Sequence, residues 1–305
     1  MWHDTRLGHR GPREHTLTRV VRADQHRAVR RVVDTLRADL GTPRSLSEMA
    51  EIANLSSAYF NQVFGAIVGI PPSRYLTALR LEAAKRLLVE SDLRVTDICF
   101  QVGYNSLGTF TSRFTQLVGM SPYQFRVLSR APEWPSLPQL VSRTGRSFPP
   151  VYRSHKQIAV GAIRWSPVGA LDSELDTTHD VEPRPIFVGL YRQAIPQGEP
   201  VAHTIALGSS TYTLPMVPDG RYHVFAVSFR WSTVPRANAL LDAASGDVLV
   251  ASGDRPLRVV GARFRNHVDL VMRPVQPTDP PLLTAVPHLL VRSKAPHPLL
   301  RRSAS

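Results

Sequence analysis

The stretch KRLLVESDLRVTDICFQVGYNSLGTFTSRFTQLVGMSP, Lys85 to Pro122, decides the fold of the first half of the chain. Within it, four apolar residues recur at the i, i+3, i+4 and i+7 positions of a short amphipathic helix: Val95, Ile98, Cys99 and Val102. After the turn Gly103-Tyr104-Asn105-Ser106, a second apolar period follows: Phe110, Phe114, Leu117 and Val118. Two short helices joined by a tight turn are typical of a helix-turn-helix unit.

An earlier stretch repeats the same pattern. Its first stripe, offset by 49 residues, is Leu46, Met49, Ala50 and Ala53. Its second stripe, offset by 50 residues, is Phe60, Phe64, Ile67 and Val68. Ser56 and Ser106 precede the two second helices, where a hydroxyl can cap free backbone N–H groups. The sequence therefore predicts two helix-turn-helix units in tandem, each with a second helix suited to a major groove.

The Lys85 to Pro122 stretch resembles the signature stretch of AraC-type transcription regulators. The resemblance covers about residues 25 to 128, including the linking helix PPSRYLTALRLEAAKRLLVE and the closing MSPYQFR. It implies a sequence-specific transcription regulator that binds double-stranded DNA and is not an enzyme. Contact with RNA polymerase and a homodimer are left open. Many AraC-type regulators place the sensor before the DNA-binding unit, whereas here it would follow, so the resemblance does not indicate an effector.

The resemblance also assigns base contacts on the two recognition helices, at Ala58, Asn61, Gln62, Leu107, Thr111 and Ser112. Asn and Gln can pair with adenine, Thr and Ser with either base type, and Ala or Leu can touch a thymine methyl. Many relatives carry Arg where Ser112 stands; here the arginine is Arg113, on a neighbouring face suited to phosphate. The alternative is that these are solvated helix faces. The predicted phosphate contacts are Ser56, Ser106, Arg44, Arg74, Arg80, Lys85 and Arg113; Arg80 could equally pair with a helix acid.

The linking helix, Pro72 to Glu90, begins with Pro and Ser and continues with strong helix formers. At a rise of 1.5 Å per residue it spans roughly 28 Å. Successive major grooves on one face of the duplex are about 34 Å apart. We therefore predict that one chain can place both recognition helices on the same face of DNA.

The composition narrows the class of protein. A formal net charge of +13 and a pI of about 10.7 favour a polyanionic partner. A single cysteine excludes an internal disulfide framework, and Cys99 on the apolar stripe is expected to pack in the core rather than act as a redox switch. Since the sequence shows no membrane span or secretory signal, we expect a cytoplasmic protein without a membrane partner. Of the 37 basic residues only Lys85, Lys156 and Lys294 are lysines, which together with abundant proline and alanine indicates a GC-rich bacterial genome.

Beyond residue 150 the period changes from helical to alternating. Candidate strands are Ile158 to Trp165, Ile186 to Tyr191, Val201 to Leu207, Thr211 to Leu214, Tyr222 to Phe229, Val248 to Ala251, Leu257 to Val260 and His267 to Met272. The run TYTLPMVPDGRYHVFAVSF is similar to the strand-turn-strand of carboxypeptidase-regulatory or transthyretin-like sandwiches. The fold class we predict is α+β in separate domains, an all-α tandem helix-turn-helix domain followed by an antiparallel β-sandwich.

The predicted organisation has five parts: a disordered basic arm (1–23), the helix-turn-helix domain (24–130), a Pro/Ser-rich linker (131–150), the β-sandwich (151–295) and a flexible tail (296–305). The segment TDPPLLTAVPHLLV is expected either to pack on the sandwich or to dock the DNA-binding half or a second protomer.

The β half either senses a small-molecule effector or mediates protein contacts, including dimerisation. Aromatic candidates for an effector pocket are Trp165, Tyr222, Phe229 and Trp231. We predict no cofactor and no metal, because the spacing of His203, His223, His267 and His288 does not suit ligands. The acidic loop Asp172, Glu174, Asp176 and Asp180 is expected to be solvated rather than calcium-binding. A fusion with a DNA-repair alkyltransferase would need a reactive cysteine outside the helices, and Cys99 lies inside them.

Overall fold

The computed structural model describes residues 22–144, 157–165, 184–207, 210–215, 217–241, 248–261 and 263–292. Nearly all of the predicted basic arm, the acidic loop and the predicted tail lie outside these residues. Within the described part, a helical region is followed by a separate β-rich region.

The helical region contains the two predicted units and the helices that frame them. Its helices are α1 (Ala23–Ala38), α2 (Leu46–Ala53), α3 (Ser57–Val68), α4 (Pro72–Glu90), α5 (Val95–Gln101), α6 (Leu107–Val118) and α7 (Pro122–Ser129). Helices α2 and α3 coincide with the first predicted unit, and α5 and α6 coincide with the second. The long helix α4 begins with a proline whose missing N–H costs no hydrogen bond, and it joins the two units.

Each unit has its own aromatic core. In the first, the rings of Phe60 and Phe64 meet edge to face at 5.4 Å, and Phe64 meets Tyr75 of α4 at 5.5 Å. In the second, Phe110 and Phe114 lie 5.7 Å apart, and Phe114 meets Phe125 of α7 at 5.9 Å. The repeated phenylalanines therefore have the same role in both predicted units: they anchor α3 and α6 to the central helices.

The β region is one mixed sheet. Its strands are β1 (Gln157–Trp165), β2 (Pro185–Tyr191), β3 (Ala202–Leu207), β4 (Thr211–Pro215), β5 (Gly220–Ser228), β6 (Leu249–Ser252), β7 (Leu257–Val260), β8 (Arg263–Phe264) and β9 (Leu270–Pro274). The main order is β3-β2-β5-β6-β9-β1-β4, with β7 paired to β5 and β8 to β7. The end strands β3 and β4 lie against each other, so the sheet is nearly closed like a barrel.

The predicted antiparallel sandwich is therefore wrong in two respects. The strands form a single sheet rather than two, and β1 runs parallel to β9, with Ile163 opposite Leu270. Strand periodicity could not reveal this, because it predicts that a segment is extended but not which distant segment it pairs with. The two-residue strand β8 was also missed.

The two faces of the sheet pack against different partners. Along β5, Tyr222, Val224 and Ala226 point into the barrel, whereas Val227 belongs to a second apolar cluster outside it. That outer cluster is completed by Leu140, Val286 and Leu290. Strand β2 is consequently buried along its whole length, as expected of a strand covered on both faces.

The segments that cover the outer face were only partly predicted. The supposed linker contains helix α8 (Leu137–Thr144), and Trp134 just before it is buried. Two further helices follow in the β region, α9 (Pro235–Ala239) and α10 (Val286–Arg292). Proline and serine suggested an irregular linker, but Leu140 gives α8 an apolar contact with the sheet. The β region thus packs directly against the helical region.

Candidate DNA-binding surface

Helix α3 separates an anchored face from a free one. Phe60, Val63, Phe64 and Val68 are buried, while the predicted base contacts Ala58, Asn61 and Gln62 are all exposed. The apolar period of the sequence fixes this orientation, since the residues between the anchors must face away from the core. The described structure therefore brings these three predicted contacts together on one accessible helix face.

Helix α6 repeats the arrangement with different chemistry. Its anchors Phe110 and Phe114 are buried, the predicted contacts Leu107 and Ser112 are exposed, and Thr111 is half-buried. Arg113 is exposed beside them. The accessible face of α3 thus carries two amides, whereas that of α6 carries hydroxyls and a leucine, with its cation to one side.

The turns of the two units both contain a residue in the left-handed backbone conformation, but the residue differs. In the first unit Asn54 adopts a left-handed backbone conformation, with φ of 55°. In the second, Gly103 has φ of 85°, and a Cβ there would lie 2.7 Å from the Leu40 carbonyl oxygen and 2.9 Å from the Arg80 guanidinium. Glycine is needed in the second turn because backbone and side chain approach it so closely.

The two predicted serine caps differ. The Ser106 hydroxyl accepts a hydrogen bond from the Thr109 N–H at 3.4 Å, whereas the Ser56 side chain makes no cap bond within its helix. Both serines are exposed at the start of a recognition helix. At that position a hydroxyl and the free N–H groups beside it face the solvent, where a phosphate could accept from them.

The predicted phosphate-binding cations occupy very different positions. Arg74 is exposed and donates to Gln193 Oε1 at 3.2 Å, and Arg44 is half-buried with its guanidinium 3.7 Å from Asp39. Arg80 donates to the carbonyl oxygens of Leu40 and Thr42, so it stabilises the loop after α1 rather than pairing with a helix acid.

Lys85 does not lie where a phosphate contact requires. Its side chain is 5% exposed, and its Nζ donates to the Leu282 carbonyl oxygen at 2.9 Å. In this arrangement the ammonium cannot reach a DNA backbone. The helical period alone could not reveal this, because the segment that covers Lys85 lies almost 200 residues later in the chain.

The β region holds the second unit through its backbone. Gly198 N–H donates to the Leu117 carbonyl oxygen at 2.6 Å, and Ala285 N–H donates to the Val118 carbonyl oxygen at 3.1 Å. These carbonyls end α6, where the helix has no N–H of its own to satisfy them. Leu283 and Ala285 also complete the core of the second unit. The segment TDPPLLTAVPHLLV therefore docks on the DNA-binding half while α10 packs on the sheet, so each of the two expectations for it is partly right.

A buried histidine stands at the centre of this contact. The His288 ring stacks on Phe125 at 4.2 Å and meets Trp134 edge to face at 5.0 Å. Its Nε2 lies 2.8 Å from Ser129 Oγ. Because the Ser129 hydroxyl donates to the Phe125 carbonyl, the imidazole is the donor to Ser129. Burial, and secondarily the charge of Lys85, hold the pKa of His288 well below its usual value.

The other sequence candidates are dispersed. Tyr222 lies inside the barrel, Phe229 and Trp231 lie in the outer cluster, and the Trp165 side chain is outside the described residues. Cys99 is fully buried, which confirms the prediction that it packs in the core. Within the described part of the chain, no group of three or more His, Cys, Asp or Glu residues could hold a metal ion.

Comparison with known proteins identifies the helical region. A family model described as a helix-turn-helix domain matches residues 49–127. Those residues form a helix-turn-helix domain of the AraC type. In the AraC-type domain, α3 and α6 with all six predicted base contacts lie inside the matched range. The resemblance inferred from the sequence is thereby confirmed for this part of the chain, and the match does not extend to the β region.

The AraC-type domain is similar to parts of named regulators. Over 86 residues the chain is 33% identical to the melibiose operon regulatory protein of Escherichia coli K12, covering 28% of each protein. Over 90 residues it is 36% identical to the HTH-type transcriptional regulator Rv1931c of Mycobacterium tuberculosis, covering 30% of this chain and 35% of that one. The chain therefore spans about a third or less of the length of these relatives. Both relatives are named as regulatory proteins.

Among solved structures, the C-terminal domain of the two-component response regulator yesN of Fusobacterium nucleatum is 29% identical. The match covers 34% of this chain and 99% of that domain, with a TM-score of 0.31. Among the described residues, no helix is both long and apolar enough to span a membrane.

Proposed function

We propose that the chain is a transcription regulator that reads two successive major grooves of double-stranded DNA with α3 and α6. The observation that carries the proposal is the repeated exposure of equivalent faces on two recognition helices inside the AraC-type domain. The high positive charge supports it, because cations that neutralise phosphates release counterions on binding.

The two recognition faces are expected to contribute unequally to specificity. Asn61 and Gln62 can each form two hydrogen bonds with adenine, which makes the first unit the stronger reader. Thr111, Ser112 and Leu107 would offer single hydrogen bonds and methyl contact, and the proposed role of the exposed Arg113 is contact with a neighbouring phosphate. The proposed operator therefore has one strict and one tolerant half-element, separated by about one helical turn.

The test begins by selecting bound fragments from genomic DNA with the full chain. Dissociation constants are then measured on the selected site and on scrambled DNA over a range of salt. Asn61→Ala and Gln62→Ala should each cost about 1–3 kcal/mol at particular bases and little on scrambled DNA. Arg113→Ala should weaken binding to both, and lower the salt slope by about one.

Arg30→Ala is the matched control for charge. Arg30 is exposed on α1 and pairs only weakly with Asp34, at 3.5 Å, so its loss removes one cation away from the recognition helices. It should leave the ratio of selected to scrambled binding unchanged. If Asn61→Ala and Gln62→Ala also lost affinity equally on both DNAs, as expected for Arg113→Ala, the assignment of base readers would be contradicted. Failure to select any site would contradict the proposal itself.

A further inference from the structure

A cavity of about 120 Å³ lies between the AraC-type domain and the β region. One wall is α4, with the end of α1, and the other is the outer face of the sheet with the segment that follows β9. The apolar part of its lining consists of Phe225, Leu240, Leu241, Val250, Val275 and Leu282. An apolar cavity of roughly 150 Å³ is large enough for benzene. The space therefore suits a molecule of about six to eight non-hydrogen atoms.

The charges around the cavity are unevenly matched. Arg273 pairs with Asp279 through two hydrogen bonds of 2.7 and 2.8 Å. Arg37 lies 3.5 Å from Glu82, so both lining acids already have an arginine partner. Within the described part of the chain, Lys85 has no carboxylate within salt-bridge distance. The lining as a whole thus has an excess of positive charge.

Lys85 is the buried member of this set. Burial lowers the pKa of its ammonium to about 8, and the more distant Glu82 opposes this. Its described hydrogen-bond partner is the Leu282 carbonyl oxygen, so an ammonium with three donors has capacity for further acceptors. A buried cation without a charged partner is unfavourable, and an anion beside it would relieve that cost.

We propose that this cavity binds a small carboxylic acid with an apolar body, with its carboxylate paired to Lys85 and its body against the outer face of the sheet. Such a ligand would use two features of the lining together: an apolar wall, and a buried ammonium whose described hydrogen-bond partner is one backbone carbonyl oxygen. A neutral molecule of the same shape could contact only the apolar wall, so the cavity should bind the carboxylate more tightly than the neutral molecule.

The position of Lys85 also connects the cavity with DNA reading. It lies on α4, which joins the two helix-turn-helix units, and it bonds to Leu282. Three residues after Leu282, the Ala285 N–H donates to the Val118 carbonyl oxygen at the end of α6. A carboxylate that competes for the ammonium would change how this segment is held. This regulatory step rests on the proposed function, whereas binding of the ligand does not.

The direct test uses the full chain and a matched pair of probes, hexanoate and hexanamide. Calorimetry should give a dissociation constant at least about tenfold lower for hexanoate, the contribution of one charge-assisted hydrogen bond. Lys85→Met should abolish this preference and leave hexanamide binding within about twofold. Equal binding of the two probes by the unaltered protein, or an unchanged preference in Lys85→Met, would overturn the proposal.

A second variant tests the same cavity independently of Lys85→Met, in case Lys85→Met fails to fold. Val275→Trp fills the cavity without removing the ammonium and should abolish binding of both probes. Val260→Trp is its control, because Val260 is exposed and does not line the cavity. Binding that survives Val275→Trp would place the ligand elsewhere and overturn the assignment.

The chain also offers a spectroscopic measurement, because its only lysines are Lys85, Lys156 and Lys294. With ¹³C-labelled lysine, the Lys85 Cε signal should titrate near pH 8 and move to higher pH when hexanoate is added. No movement would contradict direct pairing.

Hexanoate should also change DNA affinity at least about fivefold, in the range of ordinary allosteric coupling. Hexanoate binding by a chain that selects no DNA would retain the cavity and refute the proposed function.

Discussion

The two helix-turn-helix units are similar in sequence pattern but differ in what surrounds them. The first is enclosed largely by helical residues, with α1 completing its core, and Ile195 is the β-region residue that joins this cluster. The second has Leu283 and Ala285 of the β region in its core and two of its last carbonyls bonded by β-region backbone. One unit is largely self-contained, and the other is built jointly with the β region.

This difference assigns different parts to the units. A recognition helix whose end is held by another region can be displaced when that region moves, whereas a self-contained one keeps its position. The stricter reader proposed for DNA, α3, lies in the self-contained unit, and the tolerant reader, α6, lies in the joint one. Regulation through the β region should therefore act on the second half-element.

The largest expected effect comes from truncating equivalent core rings. Phe64→Ala and Phe114→Ala should each cost about 3–5 kcal/mol of local stability. Hydrogen exchange should show loss of protection in α2 and α3 for the first variant. For Phe114→Ala the loss should extend to α10, because Phe114 packs on Phe125 and Phe125 on His288. The same spread into α10 with Phe64→Ala would break the distinction between the units.

A smaller effect is expected at the loop that holds α6. Gly198 has φ of 67°, and a Cβ there would lie 2.7 Å from the Gln116 carbonyl oxygen. Gly198→Ala should cost about 1–2 kcal/mol for the left-handed backbone and about 1–3 kcal/mol more for displacing α6. Thermal unfolding measures the sum, and DNA binding measures the loss at the second half-element.

Gly261→Ala is the matched control for backbone strain. Gly261 has φ of 60°, and no described atom lies within 4 Å of where its Cβ would be. It should cost only the first part, about 1–2 kcal/mol, with DNA reading unchanged. Equal effects of the two substitutions would mean that the Gly198 contact does not matter for α6.

The next effect is a loss of stability in acid at the contact between the β region and the helical region. The pKa of His288 is held below the unfolded value of 6.5, so the unfolded chain takes up a proton before the folded one does. The stabilisation that comes from the contact around His288 should be fully present above pH 6.5 and should decline as the pH falls below that value. His203, whose pKa burial lowers to about 4, adds a decline of the same sign. His288→Met should weaken the slope of unfolding free energy against pH between 4 and 6.5; an unchanged slope would contradict this role.

The smallest effect concerns how the first helix of each unit starts. The Ser45 hydroxyl accepts from the Glu48 N–H at 3.2 Å, and the Glu48 carboxylate accepts from the Ser45 N–H at 2.6 Å. Arg94, at the start of α5, makes no side-chain cap. Ser45→Ala should cost about 1 kcal/mol, and Arg94→Ser should add about 0.5–1 kcal/mol. Denaturant titration measures both; destabilisation by Arg94→Ser would show that its arginine has another role.

The sequence was sufficient for the parts of the fold that depend on local period. The repeated stripes located both units, because each anchor such as Phe60 or Phe110 packs against residues within the same short segment or the adjoining helix. Most strands were found in the same way. Contacts across long stretches of chain were beyond reach: the parallel pairing of β1 with β9 and the burial of Lys85 under Leu282 leave no periodic signal. The docking by Ala285 and His288 was foreseen only as one of two options.

The same contrast between local period and long-range contacts applies to the candidate site. Asn61, Gln62 and Ser112 face the solvent as the helical period requires, whereas the charged residues were predicted by residue type alone and proved unequal. Arg80 and Lys85 bond to backbone carbonyls inside the protein. A cation in a basic chain is thus a weak indicator of phosphate contact until its neighbours are known.

Hydroxyl-radical footprinting of the selected DNA by the full chain and by its Gly198→Ala variant tests the central claim most directly. The full chain should protect two patches on one face of the duplex, about 10 base pairs apart. The variant should keep the patch that contains the strict half-element and lose the other. A single patch with the full chain, or equal weakening of both patches by Gly198→Ala, would contradict a tandem reader whose second unit is held by the β region.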